Sequence, residues 1–182
     1  IAVTVVTYCV LGLGLNVVVG YAGLLDLGYA AFYAIGAYTT SIMQLNLGWG
    51  FWETLPVALV AAAIAGCIIG YPTLRLRSDY LAIVTLGFGE IIRITATNLN
   101  ITGGPNGLYG VSSVTVFGTT LSTDTGKYYL GLFFLLIALL LTFALSRSRL
   151  GRTWRSLRED ETAAEAVGVP SLKVKLLAYV MG

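Results

Sequence analysis

The feature that most constrains this sequence is a series of apolar runs, each long enough to cross a lipid bilayer. A hydrocarbon core of about 30 Å requires roughly 17 to 25 mostly apolar residues in a helix. Five runs meet that length, at residues 1–20, 30–47, 54–71, 81–98 and 128–146, and a sixth begins near Leu172. The sequence therefore predicts an all-α fold: a polytopic membrane helical bundle with about five full transmembrane helices and the start of a sixth.

Composition excludes several other classes. Charged residues make up 11% of the chain, whereas a soluble domain carries about 25%. The sequence has no histidine, which removes most zinc sites, serine triads and imidazole acid–base schemes, so we predict no metal, no cofactor and no catalytic residues. The formal net charge of +2 is too small and too clustered for a nucleic-acid partner. Cys9 and Cys67 fall inside apolar runs and are interpreted as small core residues.

The two ends of the sequence suggest a piece of a longer protein. It opens on Ile1, already apolar, with no initiator methionine or basic leader before it, and it stops at Gly182 inside an apolar segment. We therefore expect residues 1–182 to form one transmembrane domain that is incomplete at both ends.

Basic residues are concentrated in two of the connections between apolar runs. The connection at residues 72–80 contains Arg75 and Arg77, and the one at residues 147–175 contains seven: Arg147, Arg149, Arg152, Arg155, Arg158, Lys173 and Lys175. The other connections contain one basic residue, Lys127, or none. Since Lys and Arg accumulate on the cytoplasmic side of a membrane, the two basic connections are predicted to face inward. Trp49, Phe51 and Trp52 then lie at the outer interface, where amphipathic aromatic rings are stable.

Two features of the apolar runs point to close helix packing and to a break. Small residues recur every four positions in the third run, at Ala58, Ala62, Gly66 and Gly70, which favours close approach of another helix. The first two runs are joined by Gly20-Tyr-Ala-Gly-Leu-Leu-Asp-Leu-Gly28, which is too apolar for a solvated loop and too rich in glycine for a steady helix. It is either a discontinuous helix that lines a cavity or a short cytoplasmic turn in which Asp26 caps the next helix.

Four polar residues in or beside the apolar runs are candidates for a translocation path. Glu90 and Arg93 lie three residues apart near the middle of the fourth run, on one helical face, and Asn16 and Asp26 flank the break. Charges inside a membrane are costly, so Glu90 and Arg93 should pair with each other or face an aqueous cavity. A purely structural ion pair and a direct role in the path both remain open at this stage.

Residues 147–172 have a different character from the rest of the chain. Acidic and basic residues alternate there at helical spacing, which predicts a solvated helix or pair of helices. Gly168 followed by Pro170 predicts the end of a helix. A long ordered segment between two spans offers a surface to a soluble partner, as an externally powered transporter requires.

Four stretches of the sequence resemble the permease subunits of bacterial branched-chain amino-acid ABC importers, of the LivM type. In chain order they are Gly20-Tyr-Ala-Gly-Leu-Leu-Asp-Leu-Gly-Tyr-Ala-Ala-Phe-Tyr-Ala-Ile-Gly-Ala-Tyr38, Thr85-Leu-Gly-Phe-Gly-Glu-Ile-Ile-Arg93, Leu99-Asn-Ile-Thr-Gly-Gly-Pro-Asn-Gly-Leu108 and Arg155-Ser-Leu-Arg-Glu-Asp-Glu-Thr-Ala-Ala-Glu-Ala-Val-Gly168. The similarity covers nearly the whole chain in the right order.

The resemblance implies a multi-pass permease of the bacterial plasma (inner) membrane that moves Leu, Ile or Val and performs no chemistry on them. It implies four partners besides the lipid bilayer: a second homologous permease subunit, two cytoplasmic ATP-binding subunits and an extracytoplasmic substrate-binding protein. It also makes residues 147–171 a cytoplasmic coupling segment with the family pattern E-A-A-x-x-x-G. Thr162 stands where that pattern has its acid, and Glu161 is the nearest one. The residues expected to couple to the ATPase are Arg155, Arg158, Glu159, Glu161, Ala163, Ala164 and Gly168.

Two other functions are compatible with parts of the sequence. Related permeases import urea or short amides. Asp26 and Glu90 would also suit an ion-coupled secondary transporter, although that function gives no reason for the cytoplasmic helices. An intramembrane enzyme is disfavoured because no nucleophile is paired with a base.

Overall fold

The fold was analysed in a computed structural model that describes residues 1–74, 76, 78–116, 119–121 and 123–182. Arg75 and Arg77, the basic residues of the first inward connection, lie outside the described residues. The second basic connection is described throughout.

All five predicted runs are helices, and most extend slightly further than the apolar residues alone indicate. Helix α1 covers Ala2–Leu15 and continues as a π-helical stretch over Asn16–Tyr21. Four long helices follow: α2 at Ala30–Leu47, α3 at Phe51–Thr73, α4 at Ser78–Asn98 and α5 at Asp124–Arg147. Pro72 is accommodated within the last turn of α3.

Four of these helices are long and apolar enough to cross a membrane among the described residues: Ala2–Tyr21, Phe51–Thr73, Tyr80–Asn98 and Asp124–Arg147. Helix α2 is not among them, although its bounds match the predicted run. Its C-terminal half carries a cluster of polar side chains, namely Thr39, Thr40, Ser41, Gln44 and Asn46. Its 18 residues still rise about 27 Å, and it packs antiparallel to α3 across the turn at Gly48.

The segment predicted to face inward forms two short helices and leads into a third. Helix α6 covers Arg149–Glu159, α7 covers Glu161–Ala166 and α8 covers Ser171–Met181. The predicted stop is confirmed: Gly168 has φ +91, and the Val169 amide returns to the Ala164 carbonyl at 3.1 Å. That left-handed conformation is one that glycine adopts without strain. Helix α8 is the predicted start of a sixth apolar run.

The outer connection between α4 and α5 departs slightly from an all-helical fold. It contains two short 3-10 turns, Asn100–Thr102 and Gly104–Asn106. A two-residue antiparallel hairpin then pairs Thr115–Val116 with Thr119–Thr120. The Trp52 indole donates to the Thr115 carbonyl at 2.8 Å, which ties this hairpin to the start of α3.

The packed core lies at one end of the bundle, on the side of α6. Helices α1 and α5 run parallel, since Val6 lies against Gly131 and Val17 shares a cleft with Leu145. At the end where both helices finish, a cluster of buried side chains joins α1, the break and α6 to α8. The interpretation of Cys9 and Cys67 as core residues is wrong, because both lie exposed on outward faces of α1 and α3. In a membrane-spanning helix, an apolar residue can face lipid and need not be buried in the protein.

Candidate functional site

Residues 22–28 turn back into the bundle and are called here the re-entrant segment. Gly23, near its start, lies against Arg158 of α6. Just beyond its end, the Tyr29 hydroxyl lies beside Gly14 of α1. The Tyr29 side chain therefore lies back along α1, and the Gly28 backbone lies against Thr85 and Gly89, well inside α4 rather than at its first residue, Ser78. This geometry corresponds to the discontinuous helix rather than to the short cytoplasmic turn.

Helix α4 holds the re-entrant segment through close backbone contact. The Leu27 amide donates to the Thr85 hydroxyl at 3.1 Å. A Cβ at Gly28 would lie 2.1 Å from the Thr85 carbonyl oxygen, and one at Gly89 would lie 3.2 Å from the Gly28 Cα. Because neither position has room for a side chain, the two glycines let non-helical backbone lie against a helix inside the bundle, where its polar groups find partners.

Asp26 is buried within this arrangement. One carboxylate oxygen accepts from the Gly28 amide at 2.8 Å, so the side chain stabilises a turn within the segment and does not cap α2, whose N-cap is Tyr29. Its other oxygen, Oδ2, has no hydrogen-bond partner among the described residues. The Tyr179 hydroxyl of α8 faces the same carboxyl group and is likewise without a hydrogen bond there.

Glu90 and Arg93 form the predicted ion pair. Arg93 donates from Nε to Glu90 Oε2 at 2.9 Å and from Nη2 to Oε1 at 2.5 Å, a bidentate arrangement with fixed geometry. Both side chains remain more than half exposed. They line a cleft of about 860 Å³ between α2 and α4, which the end of the re-entrant segment borders through Leu27 and Gly28. The pair therefore faces open space rather than a packed interface.

The other two path candidates do not line this cleft. The Asp26 side chain lies on the other side of the re-entrant segment, in a small space that is also lined by Phe32, Ile69 and Thr85. Asn16 is exposed at the start of the π-helical stretch, and its side chain folds over Gly20. The structure thus brings Glu90 and Arg93 together, places Asp26 one layer away and leaves Asn16 apart.

Helix α6 is anchored to the bundle by its centre and its arginines. Trp154 is fully buried, and its indole donates to the Val174 carbonyl of α8 at 2.8 Å. Arg155 donates to the Ser146 carbonyl at the end of α5, and Arg158 donates to the Gly20 carbonyl at the end of α1. These two arginines were predicted to couple to an ATPase, and their guanidinium groups reach back toward the bundle.

Helix α7 presents most of its surface to solvent. Glu159, Glu161, Ala163 and Gly168 are exposed, whereas Ala164 is buried against the core and is unable to contact a partner directly. Glu161 pairs with the nearly buried Lys175 of α8 at 2.5 Å. Helices α6, α7 and α8 therefore form one connected unit, called here the cytoplasmic unit from its predicted side of the membrane.

Sequence reasoning missed three residues that organise this site: Thr85, Trp154 and Tyr179. Each is almost completely buried. Trp154 had a usable signal, because a tryptophan and a leucine three residues later give the otherwise polar α6 one apolar stripe. Thr85 and Tyr179 had none, since their importance depends on which segment packs against them. Among the described residues, no group of three His, Cys, Asp or Glu side chains is placed to hold a metal ion.

Comparison with known proteins decides the family. The family described as "Branched-chain amino acid transport system / permease component" matches residues 1–182. The chain belongs to this family. As a family member with four helices long and apolar enough to cross a membrane among its described residues, it is a multi-pass protein of the inner membrane.

Several curated relatives support the same assignment. The high-affinity branched-chain amino acid transport system permease protein LivM of Escherichia coli (strain K12) is 47% identical over 205 residues, covering 100% of this chain and 48% of the relative. LivM of Salmonella typhimurium (strain LT2) is 46% identical with the same coverage. The permease protein LivH of E. coli (strain K12) is 23% identical, covering 97% of this chain and 62% of the relative. The chain thus spans about half the length of the LivM proteins it matches. No solved structure matches it.

Proposed function

We propose that this chain is part of the transmembrane permease subunit of an ATP-driven importer that moves the branched-chain amino acids Leu, Ile and Val across the inner membrane. The observation that carries this proposal is the match of the permease family along the whole chain, together with 46–47% identity to two LivM proteins whose names state that transport system. The permease itself performs no chemistry on the substrate. Hydrolysis of ATP takes place on partner subunits and drives the change between two access states.

We propose that the cleft lined by Glu90 and Arg93 borders the translocation path. A free amino acid carries an ammonium group, which is complementary to the Glu90 carboxylate. Its own carboxylate is complementary to the Arg93 guanidinium. The apolar residues on the same wall, such as Ala34 and Leu86, suit a branched aliphatic side chain. The half-exposed pair supports a role in the cleft beyond helix packing. Asp26 and Asn16 belong to the framework around the path rather than to its wall.

The proposed assembly contains further subunits. A second homologous permease is supported by the similarity to LivH, which carries the name of the same transport system as LivM. The assembly also contains two cytoplasmic ATP-binding subunits and an extracytoplasmic substrate-binding protein. The two permease subunits lie in the lipid bilayer.

Residues 147–171 are proposed as the surface on which an ATP-binding subunit acts. The exposed face of α7 is accessible for such a contact, with Glu159 before the helix, Ala163 on it, and Val167 and Gly168 just after it. Gly168→Trp would be a poor test, because φ +91 at Gly168 strains any side chain and would damage the end of α7. Val167, exposed and free of that constraint, is the better position.

A second candidate is an ion-coupled transporter, favoured by the unpartnered Oδ2 of buried Asp26. The deciding experiment is uptake of radiolabelled leucine into proteoliposomes containing the full-length permease, with and without the ATP-binding subunits and ATP. We expect uptake only with both, insensitive to proton and sodium ionophores. Uptake that persists without ATP and collapses with an ionophore would favour the second candidate. Uptake of urea but not leucine would move the substrate class to the amides.

The role of the ion pair is tested by changing both partners. Glu90→Gln with Arg93→Gln removes both charges without leaving one unpaired, so we expect membrane abundance within twofold of wild type and leucine uptake per transporter reduced at least fivefold. Thr95→Val, at an exposed position of the same helix that does not line the cleft, is the control. Wild-type uptake per transporter in the double variant would leave the pair with a packing role alone.

A further inference from the structure

Arg158 joins the cytoplasmic unit to the start of the re-entrant segment. Its Nη1 donates to the Gly20 carbonyl at 2.5 Å. Its aliphatic stem covers Gly23, where an added Cβ would lie only 2.7 Å from the Arg158 Cγ. Gly23 has φ +69, a conformation that favours glycine. Arg158 therefore contacts the backbone on both sides of the point where the helix ends and the re-entrant segment begins.

The backbone changes there from helical to non-helical. Helix α1 passes through a π-helical stretch before it ends, and the last helical bonds run from the amides of Ala22, Gly23 and Leu24. A π-helical stretch within an α-helix is uncommon and is frequently found at functional sites. Beyond it, the segment is held by the Leu27 bond to Thr85 and by the internal bond of Asp26. A segment with so few backbone bonds is easier to displace than the helices on either side.

The other end of the re-entrant segment borders the cleft. Leu27 and Gly28 line the same space as Glu90 and Arg93. Displacement of the segment at Gly20 and Gly23 would therefore change the wall of the cleft.

Side-chain bonds join the three helices of the cytoplasmic unit to one another. Trp154 ties α6 to α8, and the Glu161–Lys175 ion pair ties α7 to α8. A force applied to the exposed face of α7 would thus reach α6, and Arg158 is a polar side chain of α6 that reaches the start of the re-entrant segment.

We propose that Arg158 is a positioning residue for transport, which transmits movement of the cytoplasmic unit to the re-entrant segment and so to the cleft. This inference rests on the proposed function. It also changes the role expected from sequence, since the guanidinium is directed to Gly20 and not to the surface on which a partner would dock.

The first test compares uptake with ATP hydrolysis in the complete transporter reconstituted in proteoliposomes. Arg158→Gln removes the charged donor to Gly20. We expect ATP-binding subunits to co-purify in wild-type amount, ATP hydrolysis within twofold of wild type, and leucine taken up per ATP hydrolysed to fall at least tenfold. Arg158→Lys, which keeps one charged donor, should recover part of this ratio. Lys173→Gln is the control, because Lys173 is an exposed cation of the cytoplasmic unit that lies outside residues 147–171.

The second test measures movement of the segment. Leu27→Cys places a thiol at an exposed position on the cleft wall, in a background with Cys9→Ala and Cys67→Ala. We expect its labelling rate by a thiol reagent to change at least threefold when ATP is added, and Arg158→Gln to abolish that change. If Arg158→Gln does not accumulate in the membrane, Arg158→Lys is measured in its place and should at least halve the ATP-dependent change.

Four outcomes would overturn the inference. An uptake-to-hydrolysis ratio within twofold of wild type in Arg158→Gln, or an unchanged ATP response of Leu27→Cys in that variant, would remove the transmission role alone. Loss of the ATP-binding subunits from Arg158→Gln would assign the residue to docking instead. Absence of leucine uptake by the wild-type complex would overturn the proposed function and this inference together.

Discussion

Helices α5 and α6 follow one another in the chain and differ in opposite directions in hydrophobicity and burial. None of the 24 residues of α5, all of them described, is buried, although α5 contains the most hydrophobic 18-residue stretch of the four helices that could cross a membrane. Helix α6 is the most polar, yet three of its 11 residues are buried. A hydrophobic helix in a bilayer is stabilised by lipid and needs no protein partner to cover it. A polar helix in water is held only if its few apolar side chains find a core.

The comparison shows that burial inside this protein does not follow hydropathy. The packed core gathers around Trp154, where the end of α1, the re-entrant segment and helices α6 to α8 meet. Substitutions on α5 should therefore matter much less to stability than substitutions on the less apolar helices at the inner end.

Trp154→Ala should have the largest effect. Removing a fully buried indole leaves a cavity and removes the bond that joins α6 to the Val174 carbonyl of α8, at a cost of about 3–5 kcal/mol. Leu140→Ala on the exposed face of α5 should change stability by less than about 0.5 kcal/mol. Thermal unfolding of the full-length permease in detergent measures both. Equal destabilisation of the two variants would refute the contrast between α5 and α6.

Gly70→Leu should be the next most damaging change. Gly70 of α3 faces α8, and an added Cβ would lie 3.1 Å from Leu176 and 3.6 Å from Tyr179, so a leucine overpacks this interface at a cost of about 1–3 kcal/mol. Cys67→Leu, one turn earlier on an exposed face of the same helix, is the control and should be close to neutral. The same unfolding assay applies, and a neutral Gly70→Leu would mean that α8 is not fixed against α3.

Thr85→Val should have a smaller effect on stability. It keeps the shape of the side chain but removes the acceptor of the Leu27 amide, which costs about 0.5–1.5 kcal/mol. Thr85→Ser retains the hydroxyl and should restore most of the loss. Hydrogen exchange at the Leu27 amide of the full-length protein should be faster in Thr85→Val than in Thr85→Ser; equal rates would show that this bond does not hold the segment.

Orientation is tested by changes with almost no energetic effect. Val167→Cys and Tyr109→Cys lie at highly exposed positions on opposite ends of the bundle, and each is placed in a background with Cys9→Ala and Cys67→Ala. In intact cells an impermeant thiol reagent should label Tyr109→Cys and not Val167→Cys, because the basic residues around α6 assign that end to the cytoplasm. The reverse pattern would invert the topology.

Much of the fold could be predicted because apolar length and charge act locally. The five runs, the ladder ending in Gly66 and Gly70, the stop at Gly168 and the pairing of Glu90 with Arg93 each depend on residues close together in sequence. The ladder was interpreted as a packing surface, and Gly66 and Gly70 do receive α8. The polar side chains in the C-terminal half of α2 are likewise a local feature of the sequence.

The re-entrant segment and the direction of the arginines were decided by tertiary structure alone. The sequence left residues 20–28 open between a broken helix and a turn, since glycine permits both; contact with Thr85, 58 positions away, selects the first. Arg158 had the spacing of a solvated residue, and its bond to Gly20, 138 positions away, gives it an inward role. Such choices depend on which distant backbone groups lack a partner, and no local pattern of side chains records that.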